Sequence, residues 1–419
     1  MNQIPSPPPG RILPPRRILW TMPYVPWPTT NGGKVKGYAL LRQMAARGHA
    51  ITLLCLTKEM PDEAARAHLE SFLDELIVLP RRPRASPGRL LRAALSLGRP
   101  TVATINGCDP NYSRMFDTLL QRDFDIVQIE HSYAFEPFDA PLRRRGVPFL
   151  LNEHNVESQV VHEQYRRLPS WLRPLARLDA ARARIWERQV LRRAACVIAC
   201  SETDRDAFAA VGAHAVLLPH GIDLAPFATV RRDASARRVV FLGNYEYAPN
   251  VDAVHWLCEA IMPELWRTEP QARLAVYGHA MPQEWRRRWA DARLEFHGYA
   301  ASVAEVHAAS SVFVAPLRSG GGSKLKVLEA MASAMPIVAT REALTGLALR
   351  DSVDVLCGET ADELADGLAR CLHQPAMATR LGENARAVAL AEHDWQAVGS
   401  ALERIHATCL CPPTETATR

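Results

Sequence analysis

The chain has 419 residues with 50 basic and 45 acidic side chains, a formal net charge of +5 that excludes generic nucleic-acid binding. Its nine cysteines are scattered without a CxxC pair, which argues against zinc or a disulfide framework and favours a reducing cytoplasm. No apolar run reaches the roughly 18 residues that a bilayer span needs, so we expect a soluble or peripheral protein.

The chain begins with a proline-rich stretch, residues 1–15, which we expect to be a disordered tail. After Arg16, short apolar runs alternate with segments of helical period. The runs are ILW, AITLLCL, DIVQIE, PFLLNE, CVIAC and AVLLP. This alternation predicts parallel strands joined by helices, and therefore an α/β fold.

The same pattern restarts after residue 236 with the runs VVFLG, RLAVYG, LEFHG, VFVAP, PIVAT and DVLC. The chain therefore predicts two Rossmann-like domains, 16–229 and 236–394, with APFATVRRDASARR as the linker between them. We expect a C-terminal helix, 395–411, to join the first domain, and residues 412–419 to form a second tail.

The most informative segment is PLRSGGGSKLKVLEAMA, which starts at Pro316. A strand leads through three glycines into a helix for which Ser323 is the predicted N-cap. Lys324 and Lys326 fall in the first turn, where cations oppose the helix dipole, so we expect an anion such as a diphosphate there. Glu329 would accept the hydroxyls of a ribose. The alternative is a glycine turn with solvated lysines.

This segment, followed by PIVAT, resembles the donor motif of the group 1 retaining glycosyltransferases, the glycogen-synthase-like family. WTMPYVPWPTTNGGKVKGYALLRQMAARGHAITLL and LLPHGIDLAPF resemble other marks of that family. FLGNYEYAPNVDAV resembles the sugar transferases of exosortase-associated exopolysaccharide gene clusters. The resemblance implies a GT-B fold with two Rossmann-like domains facing a central cleft.

The family resemblance also implies a function. The second domain would bind a UDP- or GDP-linked sugar, and the first would present an acceptor hydroxyl. Transfer would retain the anomeric configuration. The sequence itself shows no metal-ligand set, so we expect neither a metal nor a cofactor. We expect a hexosyltransferase-like enzyme of exopolysaccharide or cell-envelope synthesis.

Two departures from the family pattern affect the donor site. The family commonly has two glutamates with seven residues between them, but Gly321 stands at the first position and only Glu329 remains. The usual arginine and lysine that grip the diphosphate are replaced by Asn244 and Asn250. We expect Lys324, Lys326 and Arg318 to supply the missing charge.

The predicted donor-binding set combines the donor motif with glycine loops at other strand ends. Asn31-Gly32-Gly33 precedes the first helix of the first domain, and an ordinary loop bend is the alternative there. The complete set is Asn31, Gly32, Gly33, Gly243, Asn244, Gly298, Tyr299, Arg318, Gly320, Gly321, Gly322, Ser323, Lys324, Lys326, Leu328 and Glu329.

Histidines at strand ends provide the catalytic candidates. His154 follows the strand PFLLNE, and the matching histidine of the family contacts the donor sugar near the reacting carbon. His154 and Glu329 are therefore the predicted catalytic residues, with a structural histidine as the alternative for His154. His131 is a weaker candidate, and His220 is expected to be structural.

The segment from Arg166 to Arg193 contains nine arginines but only two acidic residues, Asp179 and Glu187. Its apolar residues, together with the earlier RRPRASPGRLLRAALSLGRP, favour a face that rests on anionic lipid at the cytoplasmic membrane surface and reaches a lipid-linked acceptor. A solvated basic helix packed on its apolar side explains the composition equally well.

Two other functions remain open. A nucleotide-sugar epimerase shares this architecture but needs acids and bases around the sugar. A catalytically silent relative would bind only a nucleotide or a partner protein, and the altered phosphate-gripping positions are compatible with that.

Overall fold

The computed structural model describes residues 14–30, 32–57, 60–81, 99–101, 103, 110–166, 169–320 and 324–410. The chain divides into two units. The first contains the described residues up to Cys200, Asp204–Leu218 and the chain from Gly399 onward; the second contains Ser201–Thr203 and Pro219–Val398.

The first unit is built on a seven-stranded parallel sheet with the order β3-β2-β1-β4-β5-β6-β7. Its strands are β1 Arg17–Met22, β2 Ala50–Thr57, β3 Glu75–Pro80, β4 Ile126–Glu130, β5 Leu150–Asn152, β6 Cys196–Ala199 and β7 Ala215–Leu217. Its helices are α1 Gly32–Ala46, α2 Glu63–Glu70, α3 Pro110–Leu119, α4 Glu136–Arg145, α5 Glu157–Arg166, α6 Arg173–Leu191 and α7 Glu202–Ala210.

The second unit has a six-stranded parallel sheet with the order β10-β9-β8-β11-β12-β13. Its strands are β8 Arg238–Asn244, β9 Arg273–His279, β10 Leu294–Gly298, β11 Val312–Ala315, β12 Ile337–Ala339 and β13 Leu356–Cys357. The helices that follow are α8 Ala248–Trp256, α9 Met262–Leu265, α10 Trp285–Arg288, α11 Val303–Ala308, α12 Leu325–Ala332, α13 Arg341–Leu344, α14 Ala361–His373, α15 Pro375–Val388 and α16 Trp395–Leu410.

The central strands are buried on both faces, as their continuous apolar sequences require. Every residue of β4 and β11 is buried, and an apolar core surrounds the second sheet. In such sheets ligands bind beyond the carboxyl ends of the strands, where the strand order reverses. That reversal lies between β1 and β4 in the first unit and between β8 and β11 in the second.

The boundary between the units differs from the predicted one. It falls between Leu218 and Pro219, whereas the first domain was expected to run to 229. The predicted linker packs on the second unit, because Arg232 donates to the carbonyl of Ser311 and Ser311 Oγ donates to the carbonyl of Asp233. α16 begins in the second unit and continues into the first.

Several predicted segments lie outside the described residues. They include almost all of the first tail, the 412–419 tail and most of the basic stretch RRPRASPGRLLRAALSLGRP. Among the helices that are described, none combines the length and the apolar character needed to cross a membrane.

Candidate donor and catalytic sites

The donor helix α12 starts later than its sequence predicts. It begins at Leu325, and Lys324 occupies the N-cap position without a side-chain capping bond. The expectation that Ser323 is the N-cap was therefore wrong, and Ser323 itself lies outside the described residues with Gly321 and Gly322. The first amides of a helix have no acceptor within it, so this end of α12 offers donors to an anion.

Gly320 holds the loop before α12 in a conformation that other residues rarely adopt. Its φ is +128°, and an added Cβ would lie 2.8 Å from the hydroxyl of Tyr247. Both constraints select glycine. The loop is therefore shaped by close contact with the segment that follows β8.

Lys326 is held by one of the two asparagines at the altered phosphate-gripping positions. Its Nζ donates to Oδ1 of buried Asn250 at 2.6 Å and lies 4.3 Å from the ring centroid of Phe241. Nδ2 of Asn250 donates to the carbonyl of Asn244 at 2.8 Å. Asn250 thus ties the end of β8 to the lysine of α12, while Asn244 is exposed.

Lys324 is buried and tied to its own loop. Its Nζ donates to the carbonyl of Gly320 at 2.7 Å and lies 3.4 Å from a carboxylate oxygen of Glu342. The two lysines therefore flank the start of α12 and carry like charges close together.

Lys326 and Glu329 have pKa values that converge from opposite directions. Burial, followed by the charge of Lys324, lowers the pKa of Lys326 to about 7. Burial raises the pKa of Glu329 to about 7, against the attraction of Lys326. A bound phosphate would favour charged Lys326, and ribose hydroxyls would favour ionised Glu329. Such perturbed groups at a strand-to-helix junction are typical of binding sites.

Arg318 does not carry an uncompensated charge. Its guanidinium makes a two-pronged ion pair with Asp252, with Nε 2.9 Å from Oδ2, and lies over the ring of Trp256. The hypothesis that Arg318 replaces a phosphate-gripping residue therefore loses support relative to Lys324 and Lys326.

The side chain of Leu328 is buried in the core of the second unit. Its side chain is 1% exposed within the core of the second unit, and its amide donates to the carbonyl of Lys324. Its side chain lies on the inward face of α12, so its place in the predicted donor set gains no support from the structure. The sequence motif alone does not distinguish that face.

Other predicted donor residues lie at strand ends of the second sheet. Gly243 lies against Asn250, because a Cβ added to Gly243 would be 3.1 Å from the Cβ of Asn250. Gly298 ends β10 with φ +90°, and Tyr299 after it is 79% exposed. Tyr299 therefore presents an aromatic surface to which a base could stack.

The glycines of the first unit belong to a helix, not to a preceding loop. Gly32 and Gly33 are the first two residues of α1, and the hydroxyl of Tyr24 donates to the carbonyl of Gly33 at 3.3 Å. Asn31 lies outside the described residues. The two glycines, which were predicted to precede the first helix, are thus its first two residues.

Glu130, at the end of β4, organises the catalytic candidates of the first unit. Its buried carboxylate accepts hydrogen bonds from Nε1 of Trp20 at 2.8 Å and from Nδ2 of Asn152 at 2.9 Å. Nε2 of His154 lies 3.2 Å from the same carboxylate. Burial alone would raise the pKa of Glu130, but His154, His131 and Asn152 bring it below its ordinary value.

Glu130 in turn determines which ring nitrogen of His154 carries the proton. Burial, then the charge of His131, lowers the pKa of His154 to about 4, so its ring is neutral at pH 7. An ionised carboxylate only accepts hydrogen bonds, so Nε2 of His154 must carry the proton. Nδ1 is then the acceptor of the ring. The structure thus gives His154, which is 11% exposed, a defined tautomer.

His131 adjoins His154 and has a strained backbone. The two rings are 4.5 Å apart, and His131 has φ +65°, an uncommon value for a residue other than glycine. Its Nδ1 lies 3.5 Å from Glu157. Burial, then the charge of Glu157, raises the pKa of Glu153 well above its ordinary value. Acid and base groups therefore cluster at the end of β4 and β5.

Sequence reasoning missed Glu130 and Lys36. Lys36 on α1 is fully buried, with Nζ 2.9 Å from Sγ of Cys200 and 3.1 Å from the carbonyl of Leu218. It lies four residues before Leu40 and eight before Met44, on the buried face of α1. A lysine at that spacing on an apolar face was a usable signal.

The fold also brings together groups with metal-ligand chemistry that lie apart in the sequence. Ligand atoms lie within 4.8 Å of one another in three sets: Glu130, His131 and His154; His131, Glu153 and Glu157; and Cys196, His214 and Cys409. The spacing argument against a zinc site therefore does not hold for the last set, because a β-strand, a loop and α16 supply its members.

His220 has the structural role expected of it. Its Nδ1 donates to the carbonyl of Gly221 at 2.7 Å, and its own carbonyl accepts from His393. Its ring packs on Trp395.

Two family models match the chain in succession. A model described as "Glycosyltransferase Family 4" matches residues 30–226, and one described as "Glycosyl transferases group 1" matches residues 236–374.

Among curated proteins, a phosphatidyl-myo-inositol mannosyltransferase of Mycobacterium tuberculosis is 29% identical over 214 residues, 48% of this chain and 55% of that protein. The chain thus spans about half the length of this relative. An uncharacterized 44.6 kDa protein in the cps region of Klebsiella pneumoniae is 21% identical over 75% of this chain and 80% of its own.

Solved structures match over almost the whole chain. Anabaena HepE in complex with UDP and glucose aligns with a TM-score of 0.62 at 16% identity, over 94% of this chain and all of that one. A sucrose-phosphate synthase from Thermosynechococcus elongatus aligns with a TM-score of 0.64 at 18% identity, over 94% and 98%. These likenesses establish the GT-B fold. The two family models, which together match most of the chain, show that it is a glycosyltransferase whose second unit matches the group 1 model.

Proposed function

We propose that this protein transfers a sugar from a UDP- or GDP-linked donor to an acceptor hydroxyl, with retention and without a metal. The observation that carries the proposal is the start of α12, where Lys326 and Glu329 both have a pKa of about 7. Each would gain a full charge by binding one part of a nucleotide sugar, the diphosphate or the ribose. The HepE complex with UDP supports this choice of donor.

In this proposal the leaving diphosphate is stabilised by the amides at the start of α12 and by Lys324 and Lys326. Fixed dipoles and cations of this kind stabilise charge that develops in the transition state. Neutral His154, oriented by Glu130, would contact the donor sugar near the reacting carbon through its Nδ1 side. The proton of the acceptor hydroxyl would pass to the leaving phosphate.

We propose a lipid-linked acceptor in exopolysaccharide or cell-envelope synthesis, reached at the cytoplasmic face of the membrane. The name of the mycobacterial relative, a phosphatidyl-myo-inositol mannosyltransferase, supports a lipid acceptor. The cps-region origin of the Klebsiella relative supports a role in surface polysaccharide.

The test is incubation with a panel of UDP- and GDP-sugars, with and without membrane lipid extract, followed by analysis of both nucleotide and sugar. A transferase releases the nucleoside diphosphate only when acceptor is present, and NMR of the product gives the anomeric configuration. An isomerised donor would instead identify an epimerase, for which the acid and base groups around His154 and Glu153 are suited. Unchanged donor throughout would identify a silent binder.

Metal independence is tested in the same assay with EDTA. Activity that disappears with EDTA and returns with a divalent cation would contradict that part of the proposal.

A further inference from the structure

Helix α6 and the turn before it expose four large apolar residues. Leu175, Leu178 and Ile185 are 67%, 52% and 57% exposed, and Trp171 just before the helix is 75% exposed. In the N-terminal half the apolar residues of the inward face are small, Ala176, Ala180 and Ala183, while larger residues are buried only toward the C-terminal end. Since large apolar side chains are normally the ones that are buried, this arrangement indicates an apolar stripe that contacts something else.

A cationic stripe runs beside the apolar one. Arg173, Arg177, Arg184 and Arg188 are exposed and spaced by four, seven and four residues, which places them on one side of the helix. Among the described residues, none of the four has an ion-pair partner.

The acidic residues of α6 do not neutralise this stripe, because both are buried and already bonded. Asp179 accepts from the hydroxyl of Tyr165 and from the amide of Thr101, and Glu187 accepts from the amide of Ser158. The outer surface of α6 is therefore apolar on one flank and positive on the other.

A cavity of about 410 Å³ opens beside the N-terminal half of the cationic stripe. It is lined by His162, Tyr165, Arg173, Ala176 and Arg177 of α5 and α6. Two arginines at the first turns of a helix oppose its dipole, and α6 has no acidic residue in its first turn. An anionic group in the cavity would offset the repulsion between these two arginines and the positive end of the helix dipole.

We propose that α6 docks on an anionic bilayer, with Trp171, Leu175, Leu178 and Ile185 inserted at the interface and a lipid headgroup phosphate held in the cavity by Arg173 and Arg177. An apolar stripe beside a cationic one is the pattern of helices that lie in a membrane surface. The inference rests on the proposed lipid-linked acceptor and specifies how the enzyme reaches it.

Flotation of the full chain with phosphatidylcholine vesicles, with and without phosphatidylglycerol, tests the docking. We expect binding that depends on phosphatidylglycerol and weakens with salt. Leu175→Ser combined with Leu178→Ser should weaken partition at least ~10-fold through loss of buried apolar area. Absence of binding by the unmodified chain would overturn the proposal.

The cavity has its own matched control. Arg184→Gln with Arg188→Gln removes two charges from the cationic stripe away from the cavity. It should lower vesicle partition ~25-fold, about fivefold per arginine. Arg173→Gln with Arg177→Gln should cost at least ~10-fold more, because charge-assisted hydrogen bonds to the phosphate are lost as well. Equal losses for the two pairs would contradict the headgroup site.

Two further measurements separate the alternatives. Light scattering detects self-association; if the Leu175 and Leu178 variant becomes monomeric with unchanged vesicle binding, the stripe is a contact between copies and the docking is wrong. Donor-dependent release of nucleoside diphosphate is followed in every variant. Release without vesicle binding refutes the docking alone, whereas vesicle binding without release from any donor refutes the transferase function and leaves the docking in place.

Discussion

Asn250 and Lys326 form a hydrogen bond of 2.6 Å between two elements that the sequence separates by 76 residues. Asn250 stands at a position where the family commonly has a cation, yet it supplies an acceptor to a cation on α12. In the donor site that we propose, the positive charge would thus come from the helix instead of the β8 loop, and Asn250 would hold Lys326 in place.

Removing this acceptor should weaken donor binding. We expect Asn250→Ala to raise the donor Kd about tenfold, since a hydrogen bond to a charged group contributes about 1.5 kcal/mol or more. Isothermal titration with the best nucleotide sugar measures it. Asn384→Ala is the matched control, because Asn384 also donates to a backbone carbonyl in this unit. Equal Kd values for Asn250→Ala and the unmodified chain would refute the positioning role.

Donor affinity should depend on pH with a maximum near 7. A phosphate raises the pKa of Lys326 from about 7, so binding takes up a proton and weakens as pH rises above 7. Ribose hydroxyls lower the pKa of Glu329 from about 7, so binding also weakens as pH falls below 7.

Single variants assign the two limbs of that profile. Lys326→Arg keeps its charge at all these pH values and should flatten the alkaline limb, and Glu329→Gln should flatten the acid limb. The Kd is measured as a function of pH, and the binding enthalpy in buffers of different ionisation enthalpy gives the number of protons taken up. A Kd that stays constant between pH 6 and 8, within about twofold, would be incompatible with both assignments.

The two lysines together should account for most of the charge at the diphosphate. Lys324→Ala with Lys326→Ala is expected to weaken donor binding at least ~100-fold, because two charge-assisted contacts are lost. Arg318→Ala should change the Kd less than ~3-fold, since Asp252 already compensates its charge. Thermal shift with the donor reports both. The compensation hypothesis fails if the double variant binds donor normally.

Glu130→Gln should slow the reaction without weakening donor binding. The substitution keeps the shape of the side chain but removes the charge that fixes the proton on Nε2 of His154, and we expect kcat to fall roughly 100-fold. Nitrogen NMR of the histidine ring would show a mixture of tautomers. Glu187→Gln is the control, since Glu187 is also buried and accepts from the amide of Ser158 but does not contact His154 in the described structure. A merely structural Glu130 would change stability and leave the tautomer ratio alone.

Gly320→Ala should disturb the donor loop more than a strained backbone alone would. Its Cβ would meet the Tyr247 hydroxyl at 2.8 Å in addition to the unfavourable φ. Gly146→Ala, outside the proposed donor site, also has a positive φ but no atom within 4 Å of the added Cβ, so it isolates the backbone cost, about 1–2 kcal/mol of unfolding free energy. Donor binding should be lost only in Gly320→Ala; Tyr247→Phe combined with it should restore part of the loss.

The sequence predicted the two parallel sheets because apolar runs of strand length recur at regular intervals, and it predicted the donor helix because KVLEAMA follows a glycine loop. It placed Leu328 in the site because a motif does not show which helix face turns inward. It missed Glu130 because the partners of that carboxylate, Trp20 and Asn152, come from neighbouring strands 110 and 22 residues away. The spacing of residues within one segment does not predict hydrogen bonds between strands that are far apart in the sequence.

A lysine with a pKa of about 7 is charged only about half of the time in neutral solution. In the donor site that we propose, an unoccupied Lys326 would therefore attract stray inorganic phosphate and free nucleoside triphosphates less strongly than an arginine would. Full charge develops only when a ligand fits well enough to drive proton uptake. Selectivity against the abundant small anions of the cell would then be a property of the ionisation itself, in addition to the shape of the pocket.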